Sequence, residues 1–194
     1  MNNKVIIVPG LGNDTKKIRW ATKYWKDYGL DVILFSVGWE TNESFDDKLE
    51  RLIKLIDGLS KDCNPVSLVG ISAGGSLVLN AFLKKRKDVL KVVSICARLR
   101  KGSVSGFRSF ESRTSSSSSF RNSILSFGQK ENLLTEKDRK RIMTITARFG
   151  DELVSYDTAI ILGALNLQVP TIEHVFSIGF ALRYSKPIRN FLAS

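Results

Sequence analysis

The sequence predicts an α/β fold: a mostly parallel central sheet with helices on both faces. Three observations lead there. Short β-branched and aliphatic runs alternate with longer segments that are apolar at helical spacing, and parallel neighbours require crossovers of that kind. Glycine-rich turns follow the first and third runs, where the chain must pass sharply from strand to helix. A length of 194 residues, 43% of them hydrophobic and 25% charged, suits a single domain spanning 1–194 with a sizeable core.

In chain order, the first strand is expected at Val5 to Val8, followed by the glycine loop "VPGLGND". A second β-branched run covers Val32 to Phe35. From Ser44 to Ser60, Phe45, Leu49, Leu52, Ile53, Ile56 and Leu59 make one apolar stripe, and Ser44 with Asp47 forms a capping-box start. Pro65 opens a buried-strand pattern from Val66 to Val69, after which Leu77, Val78, Ala81 and Phe82 recur at helical spacing. Further strands are expected at Val92 to Ile95, Ile142 to Thr146 and around Val169 to Ile172, with a helix from Leu153 to Gly163 before the last.

Residues 98–134 break this rhythm and read as a Ser/Phe-rich cap or lid insertion. The run Ser115 to Ser119 argues for flexibility, whereas Phe107, Phe110, Phe120, Ile124, Leu125 and Phe127 are too many large apolar groups to leave in water. Phe120, Ile124 and Phe127 share a helical face and are expected to line an acyl pocket under a mobile cap.

A formal charge of +11 raises the question of an anionic partner. The basic clusters at 84–91, 98–101 and 137–141 fall at helix ends or loops and carry no interleaved aromatics, so they read as solvated surface and no nucleic acid is expected. No apolar run approaches the length of a membrane span, and the N-terminal apolar stretch is too short for a signal peptide, which points to the cytoplasm. Cys63 and Cys96 lie far apart and read as reduced thiols; with one histidine they make no zinc site, and neither metal nor cofactor is called for.

The chemistry centres on Gly70-Ile71-Ser72-Ala73-Gly74, a match to the nucleophile elbow G-x-S-x-G between a strand and a helix. Gly70, Gly74 and Gly75 lack a Cβ where the two backbones crowd, which leaves the Ser72 oxygen exposed beside a helix N-terminus. A serine hydroxyl needs a base, and the single histidine, His174, follows the last strand pattern. The imidazole needs a carboxylate to fix its tautomer: Asp151, with Glu152 and then Asp157 as alternatives, although Asp151 also suits an N-cap. Oxyanion donors are expected at the amides of Ala73 and Leu11, with Gly12 next. The glycine loop lacks both the third glycine of a dinucleotide fingerprint and the Gly-Lys-Ser/Thr ending of a P-loop.

The order Ser72, Asp151, His174, with "GISAGG", "TARFGDELV" and "VPTIEHVFS" as its segments, resembles the α/β-hydrolase superfamily over nearly the whole chain. One departure is Pro9-Gly10 where many relatives read His-Gly. The resemblance implies a serine hydrolase, esterase-like, acting on a small-molecule acyl substrate. The rival readings are a thioesterase, peptidase or acyltransferase with the same triad, and a noncatalytic binding protein that keeps the fold.

Overall fold

The computed structural model describes residues 3–61 and 64–194, so Cys63 lies outside the described residues. The chain runs β1 (Asn3–Val8), α1 (Thr15–Ala21), β2 (Leu30–Leu34), α2 (Phe45–Leu59), β3 (Val66–Ile71) and α3 (Ala73–Lys84). It continues through β4 (Val89–Ile95), α4 (Phe110–Thr114), α5 (Ser118–Lys130), α6 (Glu136–Arg139) and β5 (Ile142–Ala147). The last part comprises α7 (Tyr156–Ala159), β6 (Leu165–Val169), α8 (His174–Tyr184) and α9 (Lys186–Ala193).

The strands form one six-stranded sheet in the order β2-β1-β3-β4-β5-β6, and every neighbouring pair is parallel. Side chains alternate across a strand, so a buried strand must feed two cores. Ile6 and Val8 join one core with residues of α2, α3 and α5. Val5 and Ile7 join the other with residues of α1, α8 and α9. Helices therefore cover both faces. After β2 the chain crosses back over β1 to place β3 on its other side, and such a reversal opens a crevice at the strands' C-terminal ends.

Two expectations near the C-terminus change. The last strand begins at Leu165, earlier than expected, because Leu165, Leu167 and Val169 alternate along the edge of the sheet; past Pro170 the Phe149 amide still donates to the Thr171 carbonyl. The helix expected from Leu153 to Gly163 is only the single turn of α7. The Asp151 side chain has already taken the Leu153 and Val154 amides into a local turn.

The segment expected to be a mobile cap forms part of the folded layer. Helix α5 packs along α3 and α2, with Ile124 and Phe127 fully buried in the core. Polar contacts lock the same seam: Asn80 Nδ2 donates to the Ser123 carbonyl at 2.9 Å, and the Ser76 and Ser123 hydroxyls are bonded. The serine run is not a linker either. Ser117 is buried, accepts the Phe120 amide as the N-cap of α5 and donates to the Trp39 carbonyl at 2.9 Å.

Several of the basic residues have carboxylate partners rather than standing free. Lys84 meets Glu50, Lys85 meets Asp57, Arg86 meets Asp138 and Arg100 meets Glu131. Among the described residues, no helix is long and apolar enough to cross a membrane.

Candidate active site

Ser72 stands between β3 and α3 with φ 51° and ψ −117°, a conformation that L-residues avoid. Its surroundings impose it. A Cβ on Gly74 would lie 2.3 Å from the Val8 carbonyl oxygen, and one on Gly75 would lie 2.3 Å from the Ala97 Cβ. A Cβ on Gly70 would lie 2.6 Å from the Gly74 oxygen. The glycines therefore let α3 start directly against the ends of β1 and β4, and the serine at the turn is pushed up into the crevice. Its own amide donates to the Ile95 carbonyl at 2.9 Å, which ties the turn to the neighbouring strand.

His174, 3% exposed, is the first residue of α8. Its Nε2 lies 2.9 Å from Ser72 Oγ and its Nδ1 lies 2.7 Å from Asp151 Oδ2. Asp151 Oδ1 accepts the amides of Leu153 and Val154 at 2.8 and 2.9 Å. One carboxylate oxygen thus holds the loop and the other holds the imidazole, so both the capping and the orienting geometry expected of Asp151 are present. Burial opposes its ionisation more than any other single influence. The hydrogen bond and charge of His174, with the two amides, outweigh that burial and hold the carboxyl below its usual range.

The two alternative acids lie elsewhere. Glu152 accepts the backbone N–H of His174 at 3.0 Å, so it anchors the helix start and not the ring. Asp157 meets Arg100 through its carbonyl, on the short helix α7. Glu173, at φ 74°, caps α8 by accepting the amides of Val175 and Phe176. Arg108 Nη2 donates to the Asp151 carbonyl at 2.7 Å and braces the acid loop from the other side. Sequence reasoning overlooked these roles of Glu152, Glu173 and Arg108. The one available signal was a pair of glutamates flanking the acid and histidine positions, since a helix N-terminus welcomes carboxylates.

The amides of Leu11 and Ala73 donate to no acceptor among the described residues, and both residues adjoin Ser72. Gly10 brings the first loop close: a Cβ there would lie 3.0 Å from the Ser72 Cβ. Beside Ser72, two backbone N–H groups are thus left without an acceptor among the described residues.

Two spaces meet at Ser72. A groove of about 470 Å³ runs between α1 and α8, walled by Leu11, Ile18, Trp20, Val175, Ile178 and Leu182. A small chamber of about 30 Å³ lies on the other side and is bordered by Arg98, Phe120 and Val154. Of the three residues expected to line the acyl pocket, Phe120 borders this chamber, while Ile124 and Phe127 belong to the core beneath α5. Their apolar face was read correctly, but it packs on α3 instead of facing a ligand. Cys96, at the end of β4, is buried, and that burial pushes its thiol pKa upward.

Comparison with known proteins agrees with this architecture. No protein-family model and no curated protein matches the sequence. Solved structures do match in shape. Bromoperoxidase from Bacillus anthracis aligns with a TM-score of 0.69 at 16% identity, over 100% of this chain and 93% of its own. A lipase-esterase related protein from Clostridium acetobutylicum gives 0.68 at 16% identity, over 97% and 92%. A monoacylglycerol lipase from Paleococcus ferrophilus gives 0.69 at 12%, over 98% and 93%. The chain has the α/β-hydrolase fold.

Proposed function

We propose that this protein is a serine hydrolase that cleaves carboxylic esters of apolar acyl chains through an acyl-enzyme intermediate. The observation that carries the reading is the continuous hydrogen-bonded line from Ser72 Oγ through His174 to Asp151, with steps of 2.9 and 2.7 Å. With Nδ1–H donated to the Asp151 carboxylate, Nε2 is left as the acceptor that takes the Ser72 proton. Ser72 Oγ attacks the ester carbonyl, and the oxygen that gains charge is met by the amides of Leu11 and Ala73. The imidazolium, stabilised by Asp151, returns the proton to the departing alcohol oxygen. Water, deprotonated by Nε2, then releases the acid. The apolar walls of the groove suit an acyl chain, and the likeness in shape to a lipase-esterase related protein and a monoacylglycerol lipase supports that substrate class.

Labelling with a fluorophosphonate probe tests this. Covalent modification of the intact protein, lost in Ser72→Ala, is expected, together with release of p-nitrophenol from p-nitrophenyl butyrate. A folded protein that takes up no probe and cleaves no ester would instead be a binding protein on this fold.

A further inference from the structure

The groove and the chamber share four bordering residues: Leu11, Ser72, Leu153 and Arg113. The first three are accounted for by the oxyanion loop, the nucleophile and the acid loop. Arg113 is not. It sits near the end of α4, a turn fixed by the buried side chains of Phe110 and Thr114 and capped by Ser109. Its guanidinium lies over the Phe107 ring at 4.9 Å, and it has neither a hydrogen bond nor an ion pair among the described residues.

The neighbouring cations differ. Lys17, on the groove wall, is paired with Asp14 at 2.9 Å. Arg98 is 2% exposed and its terminal nitrogens are committed to the carbonyls of Lys101 and Arg108. Arg108 Nη2 donates to the Asp151 carbonyl at 2.7 Å and reaches the Val154 carbonyl at 3.5 Å, while its buried Nε has no partner among the described residues. The Asp151 carboxylate is engaged by His174 and two amides. Arg113 is thus a half-buried cation with its planar set of donors unmatched, at the one junction where substrate must sit. The Phe107 ring faces the cation but satisfies none of its N–H groups, and a guanidinium is shaped to donate to two oxygens of one anion. Arg98 and Arg108, held close by, add to the positive potential at that point.

We infer that Arg113 is a specificity residue for an anionic substrate: the ester bears a carboxylate or phosphate-type oxyanion that pairs with this guanidinium while the carbonyl lies at Ser72. The inference rests on the hydrolase reading for the word ester and on the unpaired guanidinium for the word anionic. Its measure is a ratio, so that general damage to the protein cancels.

Three anionic probes are compared with p-nitrophenyl valerate: mono-p-nitrophenyl glutarate, the p-nitrophenyl ester of 4-phosphonobutyrate, and 4-carboxyphenyl valerate. The first two separate carboxylate from phosphonate, and the third moves the charge to the leaving group. In the unaltered protein at least one anionic ester is expected to have the higher kcat/KM. In Arg113→Gln its ratio to the neutral ester should fall about tenfold or more, the scale of a lost charge-assisted hydrogen bond. Arg113→Lys should keep part of that ratio, because a point charge survives without the fork. A ratio that shifts less than twofold in all three arms, or no anionic preference in the unaltered protein, overturns the inference and leaves the hydrolase intact. If no ester is cleaved at all, the hydrolase reading fails, and calorimetry with free glutarate and inorganic phosphate decides the subsite. Binding lost in Arg113→Gln upholds it, and absence of binding overturns it.

Discussion

Asp151 shows how much one side chain carries. Its two oxygens accept three hydrogen bonds, from the His174 ring and from the amides of Leu153 and Val154, in a site almost closed to water. Replacing it with Asn offers a donor where His174 needs an acceptor and favours the wrong tautomer, so kcat should drop by about four orders of magnitude with the fold retained. Steady-state kinetics alongside circular dichroism checks this. The lowered carboxyl pKa has a second expression. A group whose folded pKa is depressed contributes stability above the unfolded value of about 3.9 and loses it as pH falls through the folded value. Thermal melts of the unaltered protein should therefore decline more steeply below about pH 4 than those of Asp151→Asn. That Ser72, Asp151 and His174 would meet was legible from their types, order and glycine spacing. Glu152 and Arg108 were not, since they act through a backbone amide and a carbonyl, and neither contact leaves a pattern in side-chain spacing.

Among the elements, the strands were the most legible, because β-branched runs bounded by Pro or Gly have few alternatives to burial in a sheet. Helix α5 was legible as a helix and illegible as to its partner. Phe120, Ile124 and Phe127 give the same periodicity whether the helix roofs a ligand or fills a layer, and only the three-dimensional neighbours distinguish the two. Phe127→Ala should accordingly cost about 3–5 kcal/mol in a denaturant titration, as for a core aromatic. A mobile roof would lose far less. The elbow makes the opposite kind of claim, in which adding atoms does harm. Gly74→Ala puts a methyl against the Val8 carbonyl, a backbone atom that cannot turn aside. A loss of about 1–3 kcal/mol is expected from the enforced shift, together with poor fluorophosphonate labelling as Ser72 is displaced.

At the scale of the whole molecule, topology brings together residues that the sequence keeps far apart. Ser72 follows β3, the Leu11 loop follows β1, and both end in the crevice where the strand order reverses. The groove beside Ser72 is a product of that arrangement, lying between α1 from the first part of the chain and α8 from the last, and no local window of sequence contains it. Chain-length preference should therefore reside here and not in the segment 98–134. Specificity on p-nitrophenyl esters is expected to climb by up to about fourfold per added methylene until the groove is filled. The paired change Trp20→Ser and Val175→Ser, both at exposed positions on the groove wall, should flatten that climb while leaving the acetate ester least affected.

Helix α8 contributes one wall of the groove and also begins with His174. Under the proposed hydrolase mechanism, recognition and proton transfer share one helix, and a long acyl chain against Ile178 bears on the same rod that holds the imidazole. In such a design the tail of the substrate acts as a lever on the clock of the reaction. Lengthening the acyl chain should raise the single-turnover acylation rate at saturation, and not only lower the concentration needed to reach it.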